Sequence, residues 1–247
     1  MSTPAAVVTG ASRGIGRAVA ERLAREGFDL VLAARTEGDL AEVATAIGAL
    51  GKRAVAVRTD VSREENVLRL FERVRAEFGR LDVLVNNAGL GIYAPLAETS
   101  LEDWEKVMGV NARGTFLCSR EAFRIMAACL PSHRQAAKPP GGIIVNISSV
   151  VGIKGYPRQG AYTASKHAVV GLSKVLAEEG RDKGVRVHAI CPGGVATDMV
   201  AKARPDIDPD ELLQPDDIAD LVAYLVRLPK RAMIDLVHVR RSTSKPY

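Results

Sequence analysis

The chain has 247 residues, 47% of them hydrophobic and 26% charged, the balance of an ordinary globular protein with enough length for one large α/β core. Its formal net charge of +5 comes from basic residues interleaved with acids, as in RLFERVRAEFGR (69–80), without stacking aromatics beside a basic stripe, so no nucleic-acid partner is expected. No window reaches the roughly 18 uninterrupted apolar residues of a membrane span, and the opening MSTPAAVVTGAS lacks the charged start and apolar run of a signal or transit peptide; a cytoplasmic location with no membrane partner is expected.

Short apolar runs alternate with longer amphipathic stretches. AAVVTG (5–10) reads as a buried strand, and GRAVAERLAREG (16–27) as a helix with Val19, Leu23 and Ala24 on one side and Gly27 as its stop. FDLVLAAR (28–35) is a second strand, residues 37–51 a helix, and RAVAVRTD (53–60) a third strand. A helix over 62–79 follows, with Ser62 and Glu65 in capping-box spacing. LDVLVNNAG (81–89) is a fourth strand and its exit loop. Residues 100–130 read as two helices, the second beginning near Asn111. GIIVNISS (142–149) is strand five, 160–182 a long helix, VRVHAICPGG (185–194) strand six, 215–228 a helix with proline in its first turn, and AMIDLVHV (232–239) a final strand.

Apolar strands alternating with helices imply a parallel sheet covered on both faces, a single doubly wound Rossmann-like α/β domain over 1–247. Its ligand crevice is expected at the C-terminal ends of the strands. The Pro-rich loop 131–141 is expected at the opposite end, without catalytic meaning. Three cysteines, Cys118, Cys129 and Cys191, lack CxxC spacing and histidines at metal spacing, which fits a reducing compartment and no metal site.

Three motifs carry chemistry. TGASRGIG (9–16) places Gly10, Gly14 and Gly16 between the first strand and the first helix, where glycines let a pyrophosphate approach the backbone and the positive end of the helix dipole. An NAD site usually has a carboxylate at the end of strand two. Here Ala34 stands at that position, Arg35 follows and Arg13 sits in the glycine turn; two guanidiniums and no acid favour a 2′-phosphate and hence NADP. Finally, Ser149 precedes Tyr162 by 13 residues and Lys166 follows it by four, on one helix face. A phenol of ordinary pKa is a poor proton carrier at neutral pH, and a nearby ammonium is expected to lower it. With Ser149 anchoring a substrate oxygen, the set suits carbonyl reduction.

These motifs, with Asp60 in TDVS, NNAG (86–89), Asn111 and PGGVATDM (192–199), occur in order, and the chain resembles the short-chain dehydrogenase/reductase family, notably 3-oxoacyl carrier-protein reductases and related NADP-dependent carbonyl reductases. The resemblance implies that Tyr162 is the general acid in reduction and the base in oxidation. Lys166 would also hold the nicotinamide ribose, Ser149 orient the carbonyl, and Asn111 hold a water linking Lys166 to solvent. It implies transfer of the pro-S hydride. NADP would be held by Gly10, Ser12, Arg13, Gly14, Ile15, Gly16 and Arg35 on one side. Asp60 and Val61 would border the adenine, and Asn87 the adenosine ribose, next to Ala88 and Gly89. Pro192, Gly193, Val195 and Thr197 would line the nicotinamide. The alternative is a non-catalytic NADP-binding sensor or scaffold of the same fold, against which the complete Asn111, Ser149, Tyr162 and Lys166 set argues.

A small substrate lid is expected over 196–214, with further walls from Gly91, Ile92 and Tyr93 and from 153–158; Ile153, Tyr156 and Met199 are its apolar candidates, and Lys154 and Arg158 its cations. The sequence leaves open a 3-oxoacyl thioester, a ketone or an aldehyde. In the family the helices after Asn111 and around Tyr162 pack against a second subunit, and Ala164, Ala168 and Gly171 permit close approach, so a homodimer or homotetramer is expected. Where many relatives end in a glycine-rich segment, this chain has a short basic tail, 240–247, with Arg240, Arg241 and Lys245, which puts the usual C-terminal tetramer contact in doubt.

Overall fold

Strand residues that are apolar on both sides can only be satisfied by a helical layer on each face. The computed structural model describes residues 3–128, 141–203 and 206–244; Cys129, the loop segment 131–140 and Lys245 lie outside them. Among the described residues, β1 (Ala5–Thr9), β2 (Asp29–Ala34), β3 (Ala54–Arg58), β4 (Val83–Asn86), β5 (Gly142–Ile147), β6 (Val185–Pro192) and β7 (Leu236–Val239) form one sheet. All its pairs are parallel, in the order β3-β2-β1-β4-β5-β6-β7. Side chains part by alternation: Ala6, Val8, Leu30 and Leu32 face one layer, Val7 and Val31 the other. The first layer is α1 (Gly14–Arg25), α2 (Glu37–Ala49) and α8 (Pro215–Arg227), seated through Leu23, Leu40, Ile47, Ile218 and Leu225. The second is α3 (Glu64–Phe78), α5 (Gly114–Ala128) and α6 (Gly160–Gly180), seated through Phe71, Val74, Leu117, Met126 and Leu176. Two shorter helices, α4 (Leu101–Met108) and α7 (Asp198–Ala203), complete the described set. The strand order reverses between β1 and β4, and a crevice opens there at the C-terminal ends. Among the described residues no helix is long and apolar enough to cross a membrane.

Three local expectations are corrected. The capping box at Ser62 does not form: α3 starts at Glu64, with Arg63 at the N-cap and no side-chain cap. The Ser62 hydroxyl instead donates to Asp60 Oδ1 at 2.7 Å, and the Ser62 amide donates to the same oxygen at 3.0 Å. A carboxylate two residues upstream outcompetes the helix for that serine. The two helices expected around Asn111 run on through a π-helical turn, Gly109–Arg113, without a break between them. Residues 198–203, read only as part of a covering segment, form a helix.

Candidate active site

The glycine turn is built by close approach. Gly10 holds φ at +66°, and a Cβ there would lie 2.8 Å from Asn87 Nδ2 and 2.9 Å from the Ala88 Cα. A Cβ on Gly16 would run into the Gly10 carbonyl. The start of α1 has no side-chain cap and no acid in its first turn, which leaves its first amides available to an anion. Asn87, expected against a ribose, is engaged otherwise: its Nδ2 donates to the Thr9 and Gly10 carbonyls at 3.0 and 3.1 Å, and its amide N–H donates to Thr9 Oγ1 at 3.0 Å. It braces the turn while lining the crevice. These features fit a dinucleotide pyrophosphate: a turn of bare backbone and a helix start with no side-chain cap and no acid in its first turn.

Arg35, exposed at the end of β2, interacts electrostatically with Asp60. Partial burial of Asp60 opposes its charge, but the Ser62 hydrogen bonds and the Arg35 and Arg63 guanidiniums outweigh this and hold its carboxyl below the usual value. Arg13 pairs with Asp198 at 2.8 Å.

At the other side of the crevice, Ser149 leaves β5 with extended backbone, and its hydroxyl accepts from the Val151 amide at 3.4 Å and hydrogen-bonds Tyr162. Burial pushes the Tyr162 phenol above its ordinary pKa, the Tyr93 phenol adds to this and the Ser149 hydrogen bond opposes it. Lys166 is only 5% exposed, and its Nζ donates to the Ile147 carbonyl at 2.9 Å. Burial draws its ammonium down to about 8, an effect partly opposed by Cys191. The expectation that Lys166 lowers the Tyr162 pKa is therefore corrected for the protein alone. The Nζ lies 5.8 Å from the ring centroid and faces Ile147, and desolvation of the phenolate wins.

Asn111 is fully buried in the π turn. Its Oδ1 accepts from the Leu90 amide at 2.9 Å, and its Nδ2 donates to the Leu90 carbonyl at 2.9 Å and to Ser165 Oγ at 3.0 Å. A Cβ on Gly89 would come within 3.3 Å of Asn111 Oδ1 and 3.5 Å of Lys166 Nζ, so the missing side chain keeps the space between amide and ammonium open.

A cleft of about 510 Å³ joins these parts: Gly10, Ser12, Arg13, Gly14, Ile15, Arg35, Asp60, Val61, Asn87, Ala88, Gly89, Ser149, Tyr162, Lys166, Pro192, Gly193, Val195 and Thr197 all line it. Gly16 and Asn111 stand behind its wall. A larger hollow of about 1010 Å³ lies at the strands' N-terminal ends and contains none of the motif residues.

Several contacts at the site were not foreseen from the motifs. Tyr93 meets the Tyr162 ring edge-on, with centroids 6.0 Å apart and planes at 70°. Asn86 Nδ2 donates to Asn146 Oδ1 and Ser119 Oγ at 2.8 and 2.9 Å, and Asn146 Nδ2 donates to Ser173 Oγ at 2.8 Å, a buried polar seam tying β4 and β5 to α5 and α6. The apolar-looking strand five carried one hint of it, the polar Asn146 at its centre.

Fold and cleft together define a dinucleotide-binding α/β enzyme with a serine, tyrosine and lysine at the reacting end. The chain belongs to the short-chain dehydrogenase family, whose model, described as short chain dehydrogenase, matches residues 4–208. It is similar to a 3beta-hydroxysteroid dehydrogenase of Mediterraneibacter gnavus, 41% identical over 81% of this chain and 69% of that one. It is also similar to a 3-oxoacyl-[acyl-carrier-protein] reductase of Synechocystis sp., 37% identical over 95% and 93%. Among solved structures, an alcohol dehydrogenase from the archaeon Thermococcus sibiricus complexed with 5-hydroxy-NADP superposes with a TM-score of 0.88, at 32% identity over 99% of each chain. A metagenomic short-chain oxidoreductase in complex with NADP gives 0.82, at 36% identity over 98% and 99%. The protein is thus an oxidoreductase acting on hydroxyl or carbonyl groups with a nicotinamide cofactor.

Proposed function

We propose that this protein is an NADPH-dependent reductase of a ketone or aldehyde, with 3-oxoacyl thioesters among the candidate substrates. The observation that carries this reading is the meeting of Ser149, Tyr162 and Lys166 in one cleft with Arg13 and Arg35 and no acid at the end of β2. The bound cofactor supplies the hydride. Tyr162, kept protonated by its raised pKa, donates its proton to the carbonyl oxygen, and Ser149 donates a hydrogen bond that orients that oxygen. Lys166, drawn down to about 8, holds the ribose and returns a proton toward Tyr162, with Asn111 and the gap at Gly89 providing its path to solvent. Asp60 and Val61, which line the cleft on one side, would border the adenine, and Pro192, Gly193, Val195 and Thr197 would border the nicotinamide. The described stretches 196–203 and 206–214 would cover the substrate, with Met199, Ile153 and Tyr156 as apolar walls.

Cofactor choice is tested by comparing kcat/KM with NADPH and NADH. Charge-assisted bonds to a 2′-phosphate give an expected preference of about tenfold or more for NADPH, and Arg35→Ala removes most of it. A higher kcat/KM with NADH overturns the assignment.

We also propose that α5 and α6 pair with their copies in a second subunit. Phe116 on α5 and Val175 on α6 are 44% and 55% exposed, and Ala168 and Gly171 present bare surface beside them. Light scattering at micromolar concentration is expected to give a dimer or tetramer; a monomer contradicts this.

A further inference from the structure

Arg13 and Asp198 face each other across the cofactor cleft, which both residues line. Arg13 belongs to the glycine turn and Asp198 is the first residue of α7. The two are 185 positions apart in the chain, yet Arg13 Nη1 donates to Asp198 Oδ2 at 2.8 Å. The backbone brings them there: a Cβ on Gly14 would lie 3.3 Å from Thr197 Cγ2, so the turn passes close to the residue before Asp198. The pair is open to water, with side chains 71% and 62% exposed. Such a pair is weak and readily exchanged.

The NADPH reading above, on which this inference rests, gives Arg13 a second anion to serve. A guanidinium nitrogen already donating to a carboxylate is not free to make the same bond to phosphate, and Asp198 adds a negative charge beside the path of an anionic ligand. We infer that Asp198 is a positioning residue that sets cofactor discrimination: it holds Arg13 on the α7 side of the cleft and competes with the 2′-phosphate for it. Asp198 therefore lowers affinity for the phosphorylated cofactor without touching that phosphate. Arg35, with Asp60 as its electrostatic neighbour, is the guanidinium left to the phosphate when Arg13 stays paired.

The test measures binding by calorimetry with adenosine 2′,5′-bisphosphate and with 5′-AMP, which differ only in the 2′-phosphate. Wild type, Asp198→Asn, Asp198→Ala, Arg13→Ala and the Asp198→Asn/Arg13→Ala double variant are compared. Both Asp198 variants are expected to tighten the bisphosphate about two- to fivefold, the size of an exposed ion pair, and to leave 5′-AMP unchanged. That gain is expected to vanish when Arg13 is absent. Equal gains for both probes mean that Asp198 acts only as diffuse charge and overturn the inference, as does a gain that persists without Arg13 or no gain at all. Failure of the NADPH reading looks different. Wild type would then bind both probes equally, and the Asp198 variants still decide the inference, because freeing Arg13 must create a preference.

Discussion

Replacing Tyr162 with phenylalanine is expected to lower kcat for carbonyl reduction by about 10²–10⁴-fold, the range of a lost general acid, while NADPH binding stays within about twofold. The substitution removes one oxygen and its hydrogen bond to Ser149 and keeps the ring that packs edge-on against Tyr93. Stability is expected to change by no more than about 1 kcal/mol. Stopped-flow oxidation of NADPH reads the first effect and fluorescence titration the second. Turnover comparable to wild type overturns the proposed proton donor, and a parallel loss of cofactor binding shows that the residue acts on binding and not on the chemical step.

Lys166→Met is expected to abolish turnover and at the same time make the cofactor-free protein more stable. Burial lowers the lysine from 10.5 to about 8, which corresponds to about 3 kcal/mol of disfavour for the ammonium at neutral pH. Methionine fills similar space without a charge, although it leaves the Ile147 carbonyl without its 2.9 Å donor, a loss of about 1 kcal/mol. The net gain is about 2 kcal/mol, or roughly 4–8 °C in Tm for a domain of this size. The sign with pH follows from linkage. Between about 8 and 10.5 the unfolded chain binds the proton and the folded one does not, so wild-type stability rises with pH across that window through this group. In the variant that contribution is absent. Thermal unfolding between pH 7 and 10 checks both points; an unchanged or lower Tm at pH 7 means that the buried ammonium is fully compensated. Such a stability cost is the usual company of a functional site.

The fold was legible because its strands are apolar on both faces, as in AAVVT and GIIVN, and because glycines and prolines mark most element ends. Gly27, just beyond α1, and Pro215, at the start of α8, are examples. The crevice residues were legible as ordered motifs, and the fold gathers them along one cleft. What sequence did not disclose depends on competition between partners. Ser62 has the right spacing for a cap, but Asp60 takes its hydroxyl. The Tyr162–Lys166 spacing correctly places both on one turn, yet spacing does not say that the ammonium faces a carbonyl or that desolvation outweighs it. Tyr93 was expected as a pocket wall and Asp198 lies in the PGGVATDM motif, but their partners, the Tyr162 ring and Arg13, are distant in the chain, so no local pattern announces either contact. Asn87 lines the expected wall, but its amide is engaged by the turn.

Tyrosine-assisted carbonyl reduction by NADPH is open to a direct measurement: NADPH oxidation by the wild-type protein, followed against a panel of 3-oxoacyl thioesters, ketones and aldehydes. Turnover of at least one carbonyl class is expected. Tight cofactor binding without oxidation of NADPH across the whole panel would contradict it and favour a nucleotide-binding role without chemistry.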